Sequence, residues 1–173
     1  MHTQIPERLV NYMAYDEDDN MLGTVDVTLP DLAYITETIS GAGIAGSYDS
    51  PTVGHFQSLG IGLNFRALDE KVLAMLGPNM GLITCRGSIQ FLDAVSRKQV
   101  KKQVKIVTDA FPKGVNLGTL NPATAMGTTT THEVTYIKVY LDNREFIEID
   151  KINFICRING VDYLQEVAQH MRG

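Results

Sequence analysis

Apolar residues recur at every second position through much of this chain, which is the period of a half-buried strand. The clearest case runs from Thr128 to Leu141, where Thr129, Thr131, Glu133 and Thr135 share one face and His132, Val134 and Tyr136 the other. The phase slips near Ile137, after which Ile137, Val139 and Leu141 form the apolar set. A bulge or a change of packing partner produces such a slip. From Phe146 to Ile158 the residues suit a further long strand, with Asp142-Asn143 as a hairpin turn before it and Asn159-Gly160 as a tight turn after it.

Earlier segments read similarly. Leu9–Tyr15 and Met21–Thr28 predict a hairpin around the acidic tip Asp16–Asn20, ended by Pro30. A longer hairpin-like unit spans about 32–66. Its first arm, Leu32–Ser40, carries Thr36, Thr38 and Ser40 on one face. Its second arm, Val53–Arg66, alternates Leu59, Ile61, Leu63 and Phe65 with Ser58, Gly60, Gly62 and Asn64. Met80–Phe91 and Val100–Thr108 predict two more strands, and the breakers Pro112, Gly114, Gly118, Pro122 and Gly127 predict a long irregular loop over 110–127. Only two segments have a helical period. Leu68–Leu76 places Leu68, Val72, Met75 and Leu76 on one stripe, and a C-terminal helix over about 163–171 places Leu164, Val167, Ala168 and Met171 together. Asp162 is positioned to cap the latter.

Composition narrows the class. At 173 residues, with 44% hydrophobic and 20% charged positions, the chain is expected to be a single globular domain. A net charge of −5 argues against tight phosphate-backbone binding. Two cysteines, Cys85 and Cys156, are too few for a disulfide framework and suit buried free thiols in a reducing cytoplasm. The N-terminus lacks an apolar signal-peptide core, and no apolar run reaches the roughly 18 residues that a spanning helix needs.

Chemical motifs are sparse. Gly41-x-Gly43-x-x-Gly46 matches the dinucleotide fingerprint in letters, but Ser47, Asp49, Ser50 and Pro51 follow in place of a helix, so no helix N-terminus receives a pyrophosphate. His2, His55, His132 and His170 are scattered, and the acidic tip lacks the Ca²⁺-loop spacing. Glu145, Glu148 and Asp150 form a carboxylate group that the polar face of a strand explains without catalysis. The expectation is no enzyme, no cofactor and no metal. What is over-represented is a small, weakly polar strand face, the kind of surface that suits a wet channel wall.

Tyr136–Asp150, Ile152-Asn153 and Ile158–Asp162 resemble the C-terminal third of the major tail tube protein of contractile-tailed phages, a family shared with R-type bacteriocins. Thr28-Leu-Pro30 and the glycine-rich stretch after Ser40 are similar to the same family. The resemblance implies a mainly β fold, a β-sandwich or partly closed β-barrel with a long hairpin and two short helices. It implies hexameric rings stacked into a hollow tube inside a contractile sheath, with baseplate hub and tape-measure proteins as further partners. Duplex DNA would then be non-adhering cargo in a phage particle, and the particle would be assembled in the bacterial cytoplasm. Gly41, Gly43, Ile44, Gly46, Tyr48 and Asp49 would form the ring-to-ring contact loop. Thr36, Thr38, Ser40, Ser58, Asn64, Thr129, Thr131, Glu133 and Thr135 would face the lumen, with Glu133 as an acidic group repelling phosphate. A small-ligand-binding β-barrel and a secreted tube protein of a type VI-like system are the alternatives.

Overall fold

The computed structural model describes residues 4–23, 25–79 and 81–172. Met80, expected to open a strand, Thr24, within another, and His2 lie outside them. The described residues form β1 (Gln4–Tyr15), β2 (Val25–Thr28), β3 (Tyr34–Ser40), β4 (Ser47–Phe56), β5 (Gly60–Phe65), α1 (Glu70–Ala74) and β6 (Gly81–Asp93). β7 (Gln99–Asn116), β8 (Thr128–Leu141), β9 (Arg144–Asp150), β10 (Ile155–Ile158), β11 (Val161–Asp162) and α2 (Gln165–Arg172) follow.

The architecture is mainly β, an open sandwich with two short helices, as the sequence predicted. The long sheet runs β1-β6-β7-β8-β9-β10-β11, with every pairing antiparallel. β8 is its hub. β7 takes one edge of β8, while β5 pairs Thr128–Glu133 and β9 pairs Tyr136–Leu141 on the other. β2 lies outside β5. The sheet curls until β2 approaches β1, where the Val27 N–H donates to the Tyr12 hydroxyl at 3.1 Å.

The phase slip in β8 is a bulge. Val134 pairs with Ala110 and Tyr136 with Asp109, which leaves Thr135 as the extra residue. The side chains that face the core therefore change parity, from Thr128, Thr130, His132 and Val134 to Ile137. Asp142-Asn143 and Asn159-Gly160 close two-residue turns with positive φ, at 53° and 62° and at 50° and 86°.

Several predicted elements change. Phe146–Ile158 is two antiparallel strands, because the Asp150 carboxylate accepts from the Ile152 and Asn153 N–H groups at 2.9 and 2.8 Å and folds Lys151–Phe154 into a turn. Among the described residues the expected 9–15 and 21–28 hairpin comes down to one isolated bridge, Tyr15 to Met21, which precedes β2. β1 pairs instead with β6, and β2 with β5. The acidic tip closes tightly, with Asp16 accepting from the Asp18 and Asn20 N–H groups, and the positive φ of Gly23 turns the chain away.

The long hairpin is shorter than 32–66. β3 pairs with β4 in a separate two-stranded sheet, and the chain then enters the main sheet as β5. Burial decides this, since Leu59, Ile61, Leu63 and Phe65 are all in the core. Each buried side chain of that size contributes about 1.5–3 kcal/mol, which an exposed second arm would forfeit. Pro112 and Gly114 do not break β7, whose ladder to β6 ends at Ala110, so Pro112 sits where only β8 is paired. The irregular loop is reduced to 117–127. α1 is shorter than predicted. Asp69 caps it by accepting from the Lys71 N–H at 2.6 Å, Val72 is buried, and Leu76 is exposed. α2 starts at Gln165, after Asp162 accepts from the Leu164 N–H at 3.1 Å.

Candidate assembly surfaces

Parity on β5 and β8 separates a core face from a polar one. Leu59, Ile61, Leu63, Phe65, Thr128, Thr130 and His132 point inward. Across β2, β5, β8 and β7 the opposite side forms two registered rows. One is Asp26, Asn64, Thr129 and Asn116, and the other is Thr28, Gly62, Thr131 and Gly114. Gly60 opposite Glu133 begins a third. Ser58, Asn64 and Thr131 are exposed, and Thr129 and Glu133 are half-buried. Thr135 sits at the bulge with its hydroxyl directed to the Asp109 carbonyl at 3.4 Å, so it leaves the regular alternation. Asp26, Thr28 and Asn116 were not among the predicted residues. The alternation Val25-Asp-Val-Thr28 carried the signal for two of them.

The inward hydroxyls on β8 are satisfied. Thr128 donates to the Leu117 carbonyl at 3.0 Å, and Thr130 meets His132 Nε2 at 3.0 Å. Burial lowers the His132 pKa from its ordinary value.

Glu133 differs from expectation. Its carboxylate accepts from Ser58 Oγ at 2.6 Å and from the Leu59 N–H at 3.2 Å, with Lys113 Nζ at 3.4 Å and Lys151 Nζ at 3.6 Å. These partners, the Ser58 hydrogen bond foremost, hold its pKa below the usual carboxylate value. Two lysines compensate one carboxylate, so Glu133 adds no bare negative charge to this face.

Thr36, Thr38 and Ser40 are exposed, but they stand on the β3–β4 hairpin rather than with the β5 and β8 residues. They face Pro51, Asp49 and Ser47 across the ladder, and Thr38 donates to Asp49 at 2.7 Å. The turn itself is only Gly41–Gly46, with φ of 149°, 91° and 118° at Gly41, Gly43 and Gly46. Ile44 is exposed at the turn, while Tyr48 and Asp49 belong to β4 and point to opposite faces. A strand follows the three glycines, so the dinucleotide match has no structural counterpart.

An isolated two-stranded hairpin is marginal in water, and this one is attached only at its base. The Tyr34 and Phe56 rings stack at 4.6 Å, the Gln57 N–H donates to Ala33, and Lys151 donates to the Gln57 carbonyl. Gly54, at φ 70°, packs against Leu164 just before α2.

The carboxylates of β9 are structural. Glu148, buried, is bonded by Arg157, by Lys138 at 3.1 Å and by the Tyr136 hydroxyl at 3.2 Å. Glu145 lies 2.9 Å from Lys138. Asp150 makes the turn described above. Cys85 and Cys156 are free and buried, and burial pushes the Cys85 thiol up to about 11.

Two comparisons bear on these surfaces. The family model described as phage tail tube protein FII matches residues 6–171. The tail tube protein of Escherichia phage P2 is 27% identical over 148 residues, which cover 84% of this chain and 83% of that protein.

Proposed function

The chain belongs to the phage tail tube protein family, and from that premise we propose that it forms hexameric rings that stack into the hollow tube of a contractile tail. Its role is structural rather than enzymatic, and its place is in the virion. In a phage the tube conducts DNA; in an R-type bacteriocin it penetrates the target envelope without a genome. The tail sheath, the baseplate hub and the tape-measure protein are its further partners.

The observation that carries the channel reading is the registered polar face of β2, β5, β8 and β7. Its side chains are small and neutral apart from Asp26, an exposed carboxylate, and Glu133, which Lys113 and Lys151 compensate, and it offers no cluster of positive charge that would hold phosphate. We assign Ser58, Asn64, Thr129, Thr131 and Glu133 to the lumen, joined by Asp26, Thr28 and Asn116. Thr36, Thr38 and Ser40 belong instead with the hairpin, whose turn, Gly41–Gly46, makes the ring-to-ring contact.

Electron microscopy of the concentrated protein tests this reading. Rings or tubes with a central channel are expected, together with duplex DNA binding no stronger than that of a neutral control. A protein that stays monomeric across protein concentration and salt refutes it.

A further inference from the structure

The core-facing side of the sheet continues past the end of the core. Cys85 and Ile106 belong to the packed cluster. Further along the same strands and on the same side stand Ile89, Phe91 and Val100, and Leu9 joins them from β1 opposite Ile89. None of these four belongs to the core cluster, and Leu9 is 48% exposed. They form an apolar face on an arm made of the outer parts of β1, β6 and β7. Two charges stand on that side: Asp93, whose carboxylate is turned into its own turn and accepts from the Val95 and Ser96 N–H groups, and Lys102, whose Nζ lies 4.9 Å from the Phe91 ring centre.

The β3–β4 hairpin presents a matching face. Ile39 pairs with Tyr48, and Glu37 with Ser50, on one side of its ladder. Tyr48 is 56% exposed, and Glu37 is the one charge on this side. Charge is segregated in the same sense. The arm and its turn carry Arg8, Arg97, Lys98, Lys101, Lys102 and Lys105 against Glu7 and Asp93, with Arg86 engaged by Asp19 at 2.6 Å. The hairpin carries Glu37 and Asp49 and no Lys or Arg. The lengths agree as well, since seven residues of β3 and the eight from Arg86 to Asp93 each span roughly 23–27 Å.

We propose that the hairpin of one copy packs its Glu37–Ile39–Tyr48 face onto the Leu9–Ile89–Phe91–Val100 face of a second copy, with Glu37 paired to Lys102. The inference rests on the tube reading and names the surface that receives the hairpin. Burying the two apolar faces together removes both from water, and the Glu37–Lys102 pair favours one register, since a reversed fit would bring Glu37 toward the Asp93 end of the arm.

The test is a charge swap, scored by sedimentation and electron microscopy against wild-type tubes. Glu37→Lys alone and Lys102→Glu alone should each raise the protein concentration needed for assembly by roughly tenfold or more, because like charges then meet. The double swap should restore assembly. Glu37→Gln and Lys102→Gln should weaken it by less than the reversals, and thermal melting should show all five variants folded. If wild-type tubes form and the single reversals assemble equally well, the inference is overturned while the tube reading stands. A double swap as impaired as its parents overturns it too. Wild-type protein that forms no tubes overturns both.

Discussion

Gly54→Ala probes the base of the hairpin, where the backbone and the core meet. Gly54 has φ 70°, and a Cβ built there lies 2.5 Å from the Leu164 side chain. Two costs follow. An L-residue in the left-handed region loses about 1–2 kcal/mol, and overpacking a buried side chain loses about 1–3 kcal/mol. Leu164 is only 4% exposed, so it can yield only within the packed interior, toward the cavity of about 150 Å³ that it lines with Gly54 and Phe154. The expected total is about 2–5 kcal/mol, a large share of the 5–15 kcal/mol typical of a domain. Urea denaturation measures it, and a double-mutant cycle divides it. Leu164→Ala alone should cost about 2–5 kcal/mol for the vacated volume. In that background the clash with the Leu164 side chain is gone, and the backbone part, about 1–2 kcal/mol, should remain. The coupling between the two positions is therefore about 1–3 kcal/mol. Equal costs for Gly54→Ala in both backgrounds would refute the argument that Leu164 wedges the hairpin base.

Three further outcomes are expected. Glu148→Gln should destabilise the protein by about 1–3 kcal/mol in chemical denaturation, less than a fully buried pair because Arg157 remains partly exposed; unchanged stability would show the network to be ornamental. His132 has a lowered folded-state pKa, so the unfolded chain takes up its proton first: stability should be full above the ordinary value of 6.5 and decline as pH falls below it, and His132→Asn should flatten the melting profile between pH 7 and 5. Replacing Gly41–Gly46 by Asn-Gly keeps Ser40 opposite Ser47 and should change the melting temperature little, while tube growth is lost; normal tubes from the shortened protein would show that the turn is only a connection.

Local signals carried the sequence reading far. The inward Leu59, Ile61, Leu63 and Phe65, the phase slip that proved to be the Thr135 bulge, and both two-residue turns were legible from short windows. What failed was non-local. Nothing near Leu9 announces that β1 pairs with β6 about eighty residues on, and the acidic tip made a local hairpin with 21–28 the simpler inference. The split of 146–158 turned on one carboxylate: Asp150 read as one of three acids on the polar face of a strand, yet its hydrogen bonds fold the turn. The charge environment of Glu133 was not legible either, because Lys113 and Lys151 reach it from β7 and from the turn after β9.

The same non-local packing decides between a channel subunit and a ligand-binding barrel. A barrel that holds a small molecule keeps its inward face open around a cavity. Here the inward residues Leu59, Ile61, Leu63, Val134 and Ile149 are within 2% of complete burial against one another, and the sheet ends in open edges rather than closing. These residues fill the centre; a cavity of about 360 Å³ bordered by Leu22, Ile83, Ala110 and His132 lies to one side of them, next to α1, and the exposed apolar surfaces lie on the hairpin, the β1 arm and α2. Exposed strand edges and apolar sheet faces are a liability in a protein that works alone. They become an asset where copies must join repeatedly in one geometry.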